Sequence, residues 1–170
     1  MRAAVGHGDA ETVTVAGVEC LADRRLSRAE KTIADRLKAL GDGRPPWGQV
    51  DVDAAVARFE ASRRKTLSPS QREALAVVAA AKVSVITGGP GVGKTTLLEA
   101  LLTTIAGSKL TVALAAPTGR AARRMAEQAG REAKTIHRLL EVDPASGTFR
   151  RSPSEPLEAD VVVIDETSMV

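Results

Sequence analysis

A glycine-rich stretch, GGPGVGKT at 88–95, constrains the fold of this chain more than any other feature. The apolar segment Lys82–Thr87 precedes it, and Lys94–Ile105 follows with the pattern of an amphipathic helix. This strand–turn–helix context, with the match to G-x-x-x-x-G-K-[ST], indicates a loop whose backbone N–H groups surround a phosphate. A glycine-rich turn without a ligand is the alternative, and the correct pattern on both flanks argues against it.

The predicted nucleotide site contains every residue of this stretch and the one that follows. These residues are Gly88, Gly89, Pro90, Gly91, Val92, Gly93, Lys94, Thr95 and Thr96. In such a loop the lysine reaches the β- and γ-phosphates of ATP, and the hydroxyl of the following Thr binds Mg²⁺. Lys94 is therefore also a predicted catalytic residue, and Thr95 a predicted metal ligand.

Two adjacent acids, Asp165 and Glu166, follow the apolar run Val161–Ile164. In a phosphate-loop ATPase, acids at a strand end help to hold the metal and to activate a water. We predict that Asp165 holds Mg²⁺ through water and that Glu166 orients and deprotonates the attacking water. Taken alone, the pattern also fits a strand that ends in a solvated acidic turn, so the phosphate loop upstream decides between the two.

From residue 66 onward, predicted helices and strands alternate, which implies βαβ units and a parallel sheet. The predicted helices are Ser68–Ala81, Lys94–Ile105, Thr118–Ala129 and the short segment Thr135–Leu140. The predicted strands are Lys82–Thr87, Thr111–Ala116 and Val161–Ile164. Turn residues at 143–147 indicate a small hairpin near Phe149.

Residues 1–65 are predicted to be a separate, mostly helical region that ends in a linker. Thr12–Val15 alternate like a strand, and Ser27–Glu30 have the form of a capping box that opens a helix. After a Gly/Pro-rich connection, Asp51 or Asp53 is expected to cap a further short helix.

Composition excludes several classes of protein. Cys20 is the only cysteine among 170 residues, so an internal disulfide or a zinc cluster of cysteines is impossible. No stretch approaches the roughly 20 apolar residues of a membrane span, and the N-terminus lacks the apolar core of a secretory signal. We therefore expect a soluble, cytoplasmic protein without membrane contact. The net charge of +3 is compatible with a nucleic-acid partner, and equally with none.

Four further stretches, in a fixed order around the phosphate loop, resemble the RecD-like DNA helicases of superfamily 1. They are LSPSQREAL (67–75), APTGRAA (116–122), KTIHRLL (134–140) and VVVIDETSMV (161–170). The resemblance implies a P-loop NTPase (RecA-like) fold, a parallel sheet with flanking helices, preceded by a small, mostly helical segment. It also implies ATP-driven movement along single-stranded DNA in the 5′-to-3′ direction, with ATP and Mg²⁺ as ligands. Residues 14–59 match the family's N-terminal region more loosely.

The resemblance gives Gln71 a role in adenine recognition. An amide can recognise the adenine edge because it offers one hydrogen-bond donor and one acceptor. The residues themselves allow a second interpretation, in which Ser68 and Gln71 form an S-x-x-Q capping box at the start of a helix. The two uses of the amide could alternate with nucleotide occupancy.

Single-stranded DNA is the partner that the resemblance implies. The family's first motif for contact with single-stranded DNA corresponds to Pro117, Thr118, Gly119 and Arg120. His137 lies in a segment that the family also places near DNA. A capped helix N-terminus with nearby arginines can hold a DNA phosphate. The alternatives are a capped surface helix with a solvated basic face, and a histidine with a structural role.

The resemblance also implies parts that do not follow Val170 in this sequence. The family continues with a Gln-containing sensor segment and a second RecA-like domain whose arginines reach the γ-phosphate. We therefore expect an incomplete RecA-like domain, a fragment of a longer helicase that is inactive by itself. The sensor segment supplies the strand between Lys82–Thr87 and Val161–Ile164, so these two segments are expected to lack their shared neighbour.

Three other hypotheses remain open. The same motifs occur in the helicase half of conjugative relaxases and in the α subunit of exonuclease V. A non-translocating P-loop ATPase that acts as a switch or loader would not be stimulated by single-stranded DNA. A non-catalytic remnant would fold only on a partner, which circular dichroism and a melting curve would reveal.

Overall fold

The computed structural model describes residues 9–89 and 91–170, which fall into two compact units. The first unit ends at Gly43 and the second begins at Arg44. In these described ranges no helix is both long enough and apolar enough to cross a membrane. The phosphate loop, the acid pair and the predicted DNA-contact residues all belong to the second unit.

The first unit begins with a β-hairpin. Strand β1 (Ala10–Val15) pairs antiparallel with β2 (Val18–Asp23), and Val15 lies opposite Val18. The two residues of the turn, Ala16 and Gly17, both have positive φ angles of 49° and 82°. Two positive φ angles are what a two-residue hairpin turn with the right-handed twist of its strands requires. The predicted strand at Thr12–Val15 is confirmed, whereas β2 was not predicted.

Helix α1 (Arg24–Gly41) follows the hairpin directly. The carboxylate of Asp23 accepts hydrogen bonds from the N–H groups of Arg25 and Leu26 and so caps the helix. The predicted start at Ser27 is wrong, because the chain is already helical there. A capping side chain must lie where the first N–H groups have no acceptor, and in α1 Asp23 occupies that position.

Three helices form the first part of the second unit: α2 (Val52–Arg63), α3 (Pro69–Ala80) and α4 (Lys94–Ile105). Asp51 caps α2 by accepting from the N–H of Ala54, so of the two predicted caps Asp51 is the correct one. The shared core consists of Val56, Phe59, Leu67, Leu75, Val78, Leu97, Ala100 and Leu101. Full burial of each large apolar side chain contributes about 1.5 to 3 kcal/mol. The predicted domain boundary between residues 65 and 66 stays a prediction.

A three-stranded parallel sheet forms the second part of this unit. Its order is β4 (Ala133–Thr135), β3 (Val112–Ala116) and β5 (Val161–Ile164), with β3 in the centre. Helix α5 (Gly119–Ala129) connects β3 to β4 and packs against both strands. A second core joins α4, α5 and the sheet through Leu102, Ile105, Leu114, Met125, Ala129 and Val161. The predicted α/β fold with a parallel sheet and flanking helices is confirmed.

A short helix and a small hairpin follow β4. Helix α6 (Ile136–Leu139) is capped by Thr135, which confirms the predicted helical segment. Val142 forms an antiparallel bridge with Phe149, and the Asp143 side chain accepts from the N–H of Ala145 in the turn between them. The predicted hairpin is therefore confirmed. Strand β4 was not predicted, since three residues are too few to show an alternation.

The segment Lys82–Thr87 is not a strand, so this prediction is wrong. None of its residues pairs with a strand in the described part of the chain, and Val85 and Ile86 are exposed. A strand exists only where a neighbour satisfies its backbone N–H and C=O groups. Among the described strands, β5 pairs only with β3. That a strand of a longer protein lies between these two segments stays a prediction.

Candidate nucleotide-binding site

The phosphate loop turns into helix α4 at Gly93. This residue is the N-cap, its φ of 84° and ψ of 27° are left-handed, and no side chain caps the helix. Asp51, Ser68 and Thr118 supply side-chain caps to α2, α3 and α5, so α4 differs from these helices. Without such an acceptor, the first N–H groups of α4 are available to an anion at the positive end of the helix dipole.

The loop closes around the side chain of Lys94. The Lys94 Nζ donates to the carbonyl oxygens of Gly88 and Gly89, the second at 3.0 Å. A Cβ atom on Gly88 would lie 2.8 Å from Val92 Cγ2, so the exposed Val92 side chain would have to shift to make room for it. Gly91 has a positive φ, Thr96 is half-buried, and Pro90 lies outside the described residues. A bound phosphate would replace the two carbonyl contacts of the ammonium group.

Gln71 connects the start of α3 to the phosphate loop. Its Oε1 accepts from the N–H of Ser68 at 2.9 Å, and the Ser68 hydroxyl accepts from the N–H of Gln71 at 3.2 Å. The predicted capping box is therefore confirmed. In addition, Gln71 Nε2 donates to the carbonyl oxygen of Gly93 at 3.3 Å, a contact that the sequence analysis missed. The contact of Gln71 with adenine stays a prediction.

The hydroxyl of Thr95 donates to Oε1 of Gln128, in the last turn of α5, at 3.4 Å. Thr95 is half-buried, and Gln128 is exposed. Gln128 was not predicted as a site residue. The two residues are 33 positions apart, and no local pattern distinguishes this Gln from a solvated surface residue. The contact arises because α5 packs against α4.

The acid pair lies at the carboxyl end of β5. The N–H of Asp165 donates to the carbonyl oxygen of Ala115 at 3.0 Å, which continues the pairing with β3 by one residue. Asp165 Oδ1 accepts from the N–H of Glu166 at 2.9 Å. Glu166 has a left-handed backbone (φ 53°, ψ 38°), and a short 3₁₀ turn, Thr167–Met169, follows. Positive φ is uncommon for a residue with a side chain and marks a sharp turn at the strand end.

The residues proposed for the metal carry oxygen ligands. Within residues 9–89 and 91–170 no cluster of three or more His, Cys, Asp or Glu side chains could hold a metal ion. A cation would therefore depend on a mixed set that includes the Thr95 hydroxyl, the Asp165 carboxylate and phosphate oxygens. Hard oxygen ligands with several retained waters suit Mg²⁺. No hydrogen bond or ion pair joins Thr95 to Asp165 in the described chain.

The predicted DNA-contact residues lie at the same edge of the sheet as the acids. Strands β3 and β5 are parallel with Ala115 opposite Ile164, so Pro117 follows β3 close to where Asp165 follows β5. The hydroxyl of Thr118 accepts from the N–H of Ala121 at 3.2 Å, which confirms its role as a cap. Gly119 and Arg120 are exposed in the first turn of α5. Contact with DNA stays a prediction for all four residues.

His137 contacts the hairpin that follows α6. Its ring centre lies 5.9 Å from that of Phe149, with an angle of 49° between the planes. Arg151 Nε donates to Glu141 Oε1 at 2.9 Å, and this hydrogen bond is the main reason why the pKa of Glu141 lies below its usual value. Contact between His137 and DNA stays a prediction. The contact with the Phe149 ring gives His137 a structural role as well.

Two ion pairs fix the segment that leads into α3. Lys65 Nζ lies 3.2 Å from Oε2 of Glu99, a residue of α4 that is only 9% exposed. Glu60 Oε1 accepts from Arg72 Nη2 at 2.7 Å and from the N–H of Leu67 at 2.9 Å. These contacts join α2, α3 and α4. Neither ion pair was predicted from the sequence.

Comparison with known proteins agrees with this site. Residues 71–170 match the family described as AAA domain. The chain is 41% identical over 143 residues to the ATP-dependent RecD2 DNA helicase of Deinococcus radiodurans, an alignment that covers 84% of this chain. It is 36% identical over 169 residues to the RecBCD enzyme subunit RecD of Mycobacterium tuberculosis, with 86% of this chain covered. For the same subunit of Haemophilus influenzae the identity is 36% over 124 residues and 59% of this chain.

The alignments span 19% of the Deinococcus and Haemophilus proteins and 28% of the Mycobacterium protein. This chain therefore corresponds to about a fifth to a quarter of these relatives. The phosphate loop and the acid pair both fall inside the matched range 71–170. The resemblance to RecD-like helicases, predicted from the order of the motifs, is confirmed: this chain belongs to the AAA domain family and is RecD-like over most of its length.

Proposed function

We propose that the chain is the ATP-binding part of an ATP-dependent DNA helicase or translocase that acts on single-stranded DNA. The observation that carries this proposal is the turn into α4 at Gly93. There, a left-handed glycine leaves the first N–H groups of a 12-residue helix without a side-chain cap, next to Lys94. Such an arrangement attracts a phosphate. The 41% identity to a DNA helicase from Deinococcus radiodurans supports DNA as the polymer along which the protein moves.

Each proposed role uses a group that is available for it. Lys94 would pair with the β- and γ-phosphates by exchanging its contacts with Gly88 and Gly89. Glu166 would orient and deprotonate the attacking water, since its carboxylate has no hydrogen bond or ion pair within the described residues. Gln71 would recognise the adenine edge, and Gly91, Val92 and Thr96 would line the loop.

The Thr95 hydroxyl and the Asp165 carboxylate are the proposed metal ligands. Asp165 uses Oδ1 for the N–H of Glu166, and Oδ2 has no partner in the described chain. The residues fit Mg²⁺, which would neutralise charge on the phosphates. Single-stranded DNA is proposed to bind at the neighbouring edge of the sheet. The proposed contact residues are Pro117, Thr118, Gly119, Arg120 and, with a smaller share, His137.

The complete activity is proposed for a longer protein that contains this chain. Its second RecA-like domain would supply arginines to the γ-phosphate, and residues of this type contribute about 10³ to 10⁵ in rate. The chain alone would bind nucleotide weakly and unwind nothing. Its single cysteine, Cys20, is in keeping with the cytoplasm as the proposed location.

The test measures two quantities on this chain and on a longer protein with both RecA-like domains. The first is ATP binding, and the second is ATP hydrolysis with and without single-stranded DNA. We expect binding in both proteins, and DNA-stimulated hydrolysis only in the longer one. Lys94→Ala should abolish binding and hydrolysis. Lys109→Ala, which removes an exposed lysine beyond α4, is the matched control and should leave both unchanged.

Two results would contradict the proposal. Strong hydrolysis by the 170-residue chain that depends on Lys94 would rule out the need for a second domain. Hydrolysis in the longer protein that single-stranded DNA does not stimulate would favour a P-loop ATPase that does not move along DNA.

A further inference from the structure

The contact between Thr95 and Gln128 has a consequence for metal binding that the family match does not assign. The Thr95 hydroxyl donates its proton to Gln128 Oε1 at 3.4 Å. A hydroxyl has one proton and two lone pairs. When the proton points toward Gln128, the lone pairs of the oxygen face away from it, and a cation can bind to them.

The side chain of Gln128 is exposed, and the position of this residue follows from the packing of α5. The buried residues of this helix are Ala121, Ala122, Met125 and Ala129. Met125 is 1% exposed and belongs to the same core as Leu102 and Ile105 of α4. Gln128 directly precedes one of the buried residues, Ala129, in the last turn before the left-handed Gly130. The packing of α5 thus places the amide next to the first turn of α4.

The carboxylate of Asp165 does not compete for this proton in the structure. Asp165 accepts from the N–H of Glu166, and no hydrogen bond to Thr95 exists among the described residues. The neutral amide of Gln128 is therefore the acceptor of the Thr95 proton. An acceptor without charge orients the hydroxyl without adding a second negative charge beside the phosphates.

We propose that Gln128 is a positioning residue for metal-dependent nucleotide binding: it accepts the Thr95 proton and so turns the hydroxyl oxygen toward Mg²⁺. This inference rests on the proposed function, since it needs nucleotide and Mg²⁺ at the phosphate loop. Groups that orient a metal ligand in this way typically change metal affinity by about 10- to 100-fold when they are removed. In this role Gln128 would act through the Thr95 hydroxyl and would not itself bind the nucleotide or the metal.

The test compares ADP binding in excess Mg²⁺ with ADP binding in EDTA, using the 170-residue chain. We expect the wild-type chain to bind ADP more tightly with Mg²⁺. Gln128→Ala should lose most of this gain, about 10-fold, and should keep the affinity measured in EDTA. Gln128→Glu, which retains an acceptor oxygen, should restore a large part of the gain. Glu127→Ala, the exposed neighbour on α5, is the matched control and should behave like the wild type.

A Thr95→Ala background gives a second readout. If Gln128 acts through the Thr95 hydroxyl, Gln128→Ala should have no further effect once that hydroxyl is absent. Equal folding of all variants is checked by circular dichroism and by the urea midpoint. A purely structural role would lower affinity in EDTA as much as in Mg²⁺.

The results separate the inference from the proposed function. A Gln128→Ala chain with the full Mg²⁺ gain, or a loss that Gln128→Glu does not relieve, overturns the role of Gln128 and leaves the nucleotide site intact. A wild-type chain that binds no nucleotide under either condition overturns both. A wild-type chain that binds ADP without any Mg²⁺ gain overturns only the inference.

Discussion

The side-chain amide of Gln71 donates a hydrogen bond to the carbonyl oxygen of Gly93, which joins the first turn of α3 to the N-cap of α4. The other half of the same amide accepts from the N–H of Ser68. Both halves are thus used within the protein. The oxygen still has a second lone pair and the nitrogen a second proton, so Gln71 can contact adenine without losing its support of the loop.

Replacement of Gln71 should affect ligands that carry no adenine. Gln71→Ala removes the bond to Gly93, so we expect weaker binding of both ADP and inorganic tripolyphosphate, by about fivefold for the loss of one hydrogen bond. Isothermal titration with the two ligands measures this. Glu73→Ala, at an exposed position of the same helix, is the control. A loss confined to ADP would mean that Gln71 recognises adenine and does not order the loop.

Gly93→Ala should disrupt the loop for two independent reasons. The φ of 84° is unfavourable for any residue with a Cβ atom, and that atom would displace the Gln71 amide, which would lose its bond to the Gly93 carbonyl oxygen. We expect the free energy of unfolding to fall by about 1 to 3 kcal/mol and nucleotide binding to be lost. Urea unfolding and ADP titration measure the two effects. At Gly107 an added Cβ meets nothing within 4 Å, so Gly107→Ala should change neither quantity.

The parts of this molecule that the sequence predicts are those encoded by neighbouring residues. Ser68 and Gln71 form their capping box, Asp51 and Thr118 cap their helices, and Val161–Ile164 is a strand. Such features depend on a few adjacent side chains, so a local pattern is enough to predict them.

The features that were missed depend on packing between distant segments. Lys82–Thr87 has the apolar pattern of a strand but joins neither of the two sheets that the described residues form. The contact of Thr95 with Gln128 spans 33 residues, and that of Lys65 with Glu99 spans 34. Neither pair has a sequence signal, because each exists only after α4 has packed against its neighbours.

Lys65→Ala should destabilise the protein, and a second substitution at Glu99 should reverse part of the loss. Lys65→Ala leaves the carboxylate of Glu99, whose side chain is 10% exposed, without its cation. We expect the free energy of unfolding to fall by about 1 to 2 kcal/mol. Leaving a buried charged group without a partner costs more stability than the intact ion pair contributes. Glu99→Gln in the Lys65→Ala background should recover part of that loss. Urea unfolding is the measurement, with Lys109→Ala as the control for removal of an exposed lysine. A double variant less stable than Lys65→Ala would contradict this account.

The hairpin after α6 should loosen in acid. The hydrogen bond from Arg151, and then the charges of Arg151, Arg150 and Lys134, hold the pKa of Glu141 below its usual value of 4.5. A lowered pKa in the folded state means that the contribution of Glu141 is complete above its ordinary pKa. It is lost as the pH falls through the lower, folded value. An NMR titration of the Arg151 side-chain Nε–H signal would follow this loss.

Two variants check the assignment of that transition to Glu141. Glu141→Gln should remove the acid transition from the hairpin signals. Arg131→Ala, at an exposed position before β4, should leave the transition in place. A transition that persists in Glu141→Gln would have to be assigned to another carboxylate, of which Asp143 in the same turn is the first candidate.

Helix α5 begins at the Thr118 cap and carries Gln128 in its last turn. Eleven helical residues form a rod about 16 Å long, with the proposed DNA contact at one end and the threonine of the phosphate loop at the other. A tilt of about 10° around one end moves the other by about 3 Å, roughly the length of one hydrogen bond. A displacement that small is enough to make or break the contact with Thr95. The geometry of the Thr95 contact therefore depends on the orientation of the whole helix, and not on the residues of its last turn alone.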